Sequence, residues 1–151
     1  MADISIDQIK SLRDETGLSV VDIRKALSEA DGDIDKAREL LVSRGGDIAA
    51  KKVGRDLKAG LVDSYIHNNK LSGCILELLC ETDFVSRGEV FKDLAHDLAL
   101  HVTAMKPQNV DELMEQMFIK NPEQTIRDLI TSHIAKLGEN IQVGRFQVYE
   151  I

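Results

Sequence analysis

The sequence predicts an α+β fold: a three-helix bundle at the front, then a small antiparallel sheet packed with helices. Three observations predict it. Apolar residues recur at helical spacing through residues 1–45; two apolar runs then flank an Asn68-Asn69 turn; and a long apolar stripe is followed at the end by an alternating run with one slip. With 43% hydrophobic and 30% charged residues over 151 positions, the chain is long enough for one medium domain or two small ones.

Ser5 with Gln8 forms a capping box, and Ile6, Ile9 and Leu12 mark the first helical stripe, which Thr16-Gly17 ends. Ser19 caps a second helix carrying Val20, Ile23, Leu27 and Ala30. Asp31-Gly32-Asp33 turns the chain into a third, with Ile34, Ala37 and Leu41, which Gly45-Gly46 is expected to stop. Helices with one apolar stripe each bury those stripes against one another, so a bundle over 1–45 follows. Residues 46–59 hold Lys51, Lys52, Arg55 and Lys58 between glycines and read as a basic linker. A solvated connector is the plainer reading, and contact with an acidic partner surface the sharper one.

Residues 60–151 read as an α+β core. Strands are expected at 61–67 and 71–80, the second so continuously apolar that it should be central and covered on both faces. Cys74 and Cys80 lie on one face of it by their even spacing, as buried reduced thiols. Ser86 with Glu89 should cap the long helix bearing Val90, Phe91, Leu94, Ala95, Leu98, Ala99 and Val102, with Val85 and Val90 as its hydrophobic staple. Asn109 with Glu112 opens a short helix, and Asn121-Pro122 another that runs to Leu137 and the terminating Gly138. Ile141, Val143, Phe146 and Val148 form a last strand whose alternation slips near Gly144-Arg145, as a bulge would produce.

The chemistry is mostly excluded rather than suggested. A net charge of −7 and a pI near 5.1 argue against a broad cationic footprint for nucleic acid. The start, Met1-Ala2-Asp3-Ile4-Ser5, is no secretory leader, and no apolar stretch is long enough to span a bilayer, so a cytoplasmic location is expected. His67, His96, His101 and His133 are scattered, CxxC and HExxH are absent, and so are the nucleophile-elbow and phosphate-loop signatures. Neither metal nor cofactor is expected. Asp97 and His101, four apart on a helix, read as a surface pair rather than a catalytic dyad. The chain therefore reads as one that acts by binding. Its most informative stretch joins the apolar strand to the long helix, where Phe84 beside Asp83 is not needed by the cap. Either the ring is a rigid probe for a partner, or it tucks into the protein's own core.

Cys80-Glu81-Thr82-Asp83-Phe84-Val85, after Ser64-Tyr65-Ile66-His67-Asn68, resembles the core signature of the elongation factor Ts family. Thr16-Gly17 with Asp22-Ile23-Arg24-Lys25-Ala26-Leu27 and Gly32-Asp33 resembles that family's ubiquitin-associated-like bundle. The run from Ala135 through Lys136-Leu137-Gly138-Glu139-Asn140 to Ile141, with Arg145-Phe146, resembles its ending, so the likeness covers nearly the whole chain. The resemblance implies guanine-nucleotide exchange on elongation factor Tu, without covalent catalysis. It implies that the bundle and linker meet the GTPase domain of that partner. Thr82, Asp83, Phe84 and Val85 would dislodge its Mg²⁺ and disturb its phosphate loop, and Arg24, His67, Leu137 and Gly138 would make further contacts. Short members are homodimers, which implies the same here, through the 60–151 core. The chain departs from the usual pattern at Arg24, where many members have lysine, at Val20-Val21 in place of Met-Met, and at Met117-Phe118 in place of Pro-Phe. It also has no long helical excursion between Pro107 and Glu115, and neither the duplicated second half of the core nor the C-terminal helical module of longer members. An adaptor whose bundle takes a helical or ubiquitin-like ligand is the reading from another class.

Overall fold

The computed structural model describes residues 3–151, arranged as two compact units. One unit holds the chain up to Val53 together with Thr131–Gly138; the other holds Gly54–Ile130 and Glu139–Ile151.

In the first unit the local signals act as the sequence indicates. The Ser5 hydroxyl accepts the Gln8 N–H at 3.1 Å while Gln8 Oε1 accepts the Ser5 N–H at 2.9 Å, which starts α1 (Ile6–Thr16). Gly17, at φ 66°, closes it in the left-handed region that glycine enters freely. Ser19 caps α2 (Val20–Glu29), and the Asp33 carboxylate accepts two N–H groups at the start of α3 (Ile34–Ala50). Leu12, Ile23, Ala26, Leu27, Ala37 and Leu41 form the bundle's core, each Leu or Ile contributing about 1.5–3 kcal/mol by leaving water. Ile6, expected in the stripe, faces outward. The glycine pair does not stop α3, which continues to Ala50. Gly45 is buried there, and a methyl on it would stand 3.5 Å from the Ala135 Cβ. Packing on a helix from far along the sequence outweighs the low helix propensity of two glycines.

In the second unit β1 (Ala59–Ile66), β2 (Ser72–Cys80) and β5 (Ile141–Glu150) form an antiparallel sheet in the order β1-β2-β5. β2 is central, but it is covered on one face only. Cys74, Leu76, Leu78 and Cys80 point inward and are buried, whereas Ile75 on the other face is 49% exposed. Alternation along the strand assigns the two faces, and only one receives a helix: α5 (Glu89–Met105), which packs across β1 and β2 with Phe91, Leu94, Leu98 and Val102. Both cysteines are free and buried, and burial raises both thiol pKa values. The expected bulge is present: Leu76 pairs Phe146 and Leu78 pairs Val143, leaving Glu77 alone opposite Gly144 and Arg145. Glu77 accepts the Arg145 backbone N–H at 2.7 Å and its guanidinium at 2.9 and 3.0 Å, which holds its carboxyl down at about 2.

Two helix starts differ from expectation. Ser86 does not cap the long helix; it lies inside a single turn, α4 (Asp83–Ser86), and its hydroxyl donates to the Asp83 carbonyl. Gly88 is the N-cap residue of α5, its N–H bonded back to the Val85 carbonyl at 3.0 Å. Asn109 caps α6 (Val110–Glu115) as expected, but Asn121-Pro122 begins a strand rather than a helix. β3 (Met117–Phe118) and β4 (Asn121–Thr125) make a two-stranded hairpin, in which Pro122 is tolerated because each strand has a free edge. α7 (Ile126–Leu137) starts only after Thr125, whose hydroxyl and N–H exchange bonds with Asp128 at 3.1 Å each. Residues 126–130 of this helix belong to the second unit and the rest to the first, before Gly138 at φ 76° ends it. The whole is the α+β architecture the sequence predicts. No helix among the described residues is long and apolar enough to cross a membrane.

Candidate functional site

The corner between β2 and α5 is built from its polar atoms outward. Thr82 is the N-cap residue of α4, yet its hydroxyl caps nothing. It donates instead to the carboxylate of Glu139, 2.9 Å from each oxygen, and the Thr82 N–H donates to the same carboxylate at 3.0 Å. The Thr82 carbonyl accepts the Ser86 N–H at 3.3 Å and the Cys80 thiol at 3.2 Å. Beside it, Glu81 Oε1 accepts the Asn140 N–H at 2.7 Å and Asn140 Nδ2 donates to the Arg55 carbonyl at 3.0 Å. Every polar group of Thr82 is committed, so the backbone entering α4 is held from several sides.

Phe84 projects from this corner with 87% of its surface exposed. That removes the reading in which it tucks into its own core, since a phenylalanine with so little burial contributes almost nothing to folding. The neighbouring Asp83 carboxylate is 70% exposed and pairs with Arg87 one turn later at 3.1 Å, while Val85 is half-buried at the base. The arrangement offers an apolar ring and an acid on a one-turn helix, with a fixed backbone beneath them.

The other residues singled out from sequence are spread out. His67 is exposed at the turn end of the β1–β2 hairpin, with Nδ1 3.2 Å from the Tyr65 hydroxyl. Ala59 pairs with Cys80 and Ile66 with Gly73, so Thr82 and His67 lie at opposite ends of that hairpin, roughly 20 Å or more apart. Arg24 is exposed on α2, and Leu137 and Gly138 end α7; all three are in the first unit. Asp97 and His101 do not pair. Asp97 bonds Lys120, whereas His101 is buried and faces Gln116 and the Ile119 N–H. Among the described residues no group of three His, Cys, Asp or Glu side chains could hold a metal ion. Glu139 and Asn140, quoted in the sequence only as part of a motif, turn out to build the corner. The available signal was a polar pair between a helix-ending glycine and an apolar strand.

The family model for elongation factor TS matches residues 81–151. Over 192 aligned positions the chain is 39% identical to elongation factor Ts of Thermotoga maritima, covering 99% of this chain and 96% of that protein. It is 38% identical to elongation factor Ts of Herpetosiphon aurantiacus over 193 positions, covering 98% of each, and 37% identical to that of Alkaliphilus oremlandii, covering 99% of this chain and 89% of the relative. An alignment longer than the 151 residues of this chain means that these relatives carry stretches it lacks. Likeness of this extent along almost every element places the chain in the elongation factor Ts family of translation elongation factors.

Proposed function

We propose that the protein is a guanine-nucleotide exchange factor that binds elongation factor Tu in its GDP form and promotes GDP release, by binding alone and without covalent chemistry. The observation that carries this reading is the outward ring of Phe84, 87% exposed on a corner whose first residue, Thr82, has every polar group hydrogen-bonded. Thr82, Asp83, Phe84 and Val85 enter the GTPase domain of elongation factor Tu, and Arg24, His67, Leu137 and Gly138 make the remaining contacts. A GTPase grips GDP through backbone amides around phosphate and a Mg²⁺ ion that demands near-octahedral geometry, so a displacement of about an ångström there costs much affinity. The coupling is reciprocal: the factor weakens GDP as much as GDP weakens the factor, and entering GTP sends the factor away. On this reading the protein works in the cytoplasm, against another protein rather than against nucleic acid or membrane.

The proposal extends to a homodimer formed through the 60–151 core. The face of the sheet away from α5 carries Val62, Ile66, Ile75 and Tyr149, all exposed, and a second copy of the same sheet would cover them. Light scattering at micromolar concentration should return twice the monomer mass, and a monomer would remove this part. For the main reading the measurement is the release of labelled GDP from elongation factor Tu. The chain should accelerate it manyfold, and an unchanged rate would defeat the proposal.

A further inference from the structure

Phe84 makes no packing of its own that could fix its direction, because nearly all of its surface is in water. Its pose is set by the backbone of α4, and α4 is only four residues long with no side-chain cap at its start. A single turn does not hold itself in water. Its far end rests on the buried Ser86; its start is held by Thr82, and the group that takes both donors of Thr82 is Glu139, a carboxylate 8% exposed at the entry to β5 and 57 residues away in sequence.

Glu139 is itself fixed on both sides. Before it, Gly138 ends α7 with its N–H on the Ile134 carbonyl at 2.8 Å; after it, Asn140 is tied to Glu81, and Ile141 pairs with Cys80. A buried carboxylate satisfied by neutral donors is expensive to desolvate, and the hydrogen bonds it makes are of the stronger, charge-assisted kind. A threonine alone could have capped α4 with its own hydroxyl. Here that hydroxyl is turned away from the helix, and the helix start is tied to the segment that leads into the neighbouring strand β5.

We infer that Glu139 is a positioning residue for nucleotide exchange: its buried carboxylate fixes Thr82 and thereby holds Phe84 and Asp83 in their outward pose. This rests on the exchange reading above. The contribution is preorganisation, since a corner that wanders must be ordered again each time it enters the partner.

The test compares the wild type with Glu139→Ala, Glu139→Gln, Thr82→Val and the Glu139→Ala/Thr82→Val pair. Hydrogen exchange is followed at the amides of Asp83–Ser86, and release of fluorescent GDP from elongation factor Tu is measured as a function of factor concentration. Glu139→Ala should speed amide exchange in α4 and lower the maximal release rate by about tenfold, with the half-saturating concentration moving less than about threefold, the pattern of a lost transition-state interaction. Glu139→Gln can still accept the Thr82 N–H and donate to its hydroxyl, and should stay within about threefold of wild type in both readouts. In amide exchange of the free protein, the double variant should be no faster than Glu139→Ala, because both changes break one link. If Glu139→Ala does not fold, Thr82→Val, which keeps the carboxylate and removes only the hydroxyl, should show the same changes to a smaller degree.

A folded Glu139→Ala protein with wild-type amide exchange and release would overturn the inference, and so would a Glu139→Gln protein as slow as the alanine variant. A wild type that fails to release GDP would instead defeat the exchange reading, and amide exchange alone would then decide whether Glu139 fixes the corner.

Discussion

Phe84 and His101 are opposite cases of one rule, that exposure decides what a side chain can be for. Truncating Phe84 removes almost no buried surface, so Phe84→Ala should change unfolding free energy by less than about 0.5 kcal/mol, measured by urea titration, while slowing GDP release from elongation factor Tu at least about tenfold. A large loss of stability would show that the ring does structural work. His101 is fully buried, with Nδ1 accepting the Ile119 N–H at 3.2 Å, so the neutral ring must carry its proton on Nε2, 3.0 Å from Gln116 Oε1. Burial lowers its pKa below the ordinary 6.5, against a smaller opposing effect of Gln116. The unfolded chain therefore takes up this proton more readily, and stability present above pH 6.5 is lost as pH falls through that value toward the folded one. His101→Gln should show a shallower decline in unfolding free energy from pH 7.5 to 5 than wild type, read by denaturant titration at each pH. At neutral pH, His101→Ala should cost about 2–3 kcal/mol through the cavity and the unpaired Ile119 N–H.

At the level of elements, the parts legible in the sequence were those fixed by neighbours a few residues away. Ser5 with Gln8, Gly17, Asn109 and Gly138 each satisfy backbone groups within one turn, so their residue types announce them. The slip in alternation at Gly144-Arg145 was legible for the same reason. What misled was local chemistry overruled from a distance. Gly45-Gly46 looks like a stop, but α3 runs on beneath Ala135; Asn121-Pro122 looks like a helix start, but pairing with β3 makes it a strand; Ser86 looks like a cap, but Thr82 begins the turn first. The site was half visible: the sequence isolated Phe84, yet only coordinates could choose between core and solvent, and nothing local linked Glu139 to Thr82. The helix through Gly46 gives a direct check. That position has no atom within 4 Å of an added methyl and helical backbone, so Gly46→Ala should stabilise the protein by about 0.5–1 kcal/mol and raise the melting temperature by a few degrees in a calorimeter.

For the molecule as a whole, the first unit is discontinuous in sequence. Its three helices come from the beginning of the chain, while Thr131–Gly138, including Ala135 packed on the same core, come from near the end. A fragment ending at Val53 should therefore melt at a lower temperature, by circular dichroism, than the same helices in the full chain, because it lacks the Ala135 surface. Equal melting temperatures would mean that the bundle is self-sufficient.

That discontinuity has a consequence during synthesis. A ribosome adds roughly 5–20 residues per second, so several seconds or more separate the appearance of Val53 from that of Gly138. Through that interval the nascent bundle must wait half-clothed, and its last piece arrives only after β1, β2 and α5 have themselves been made.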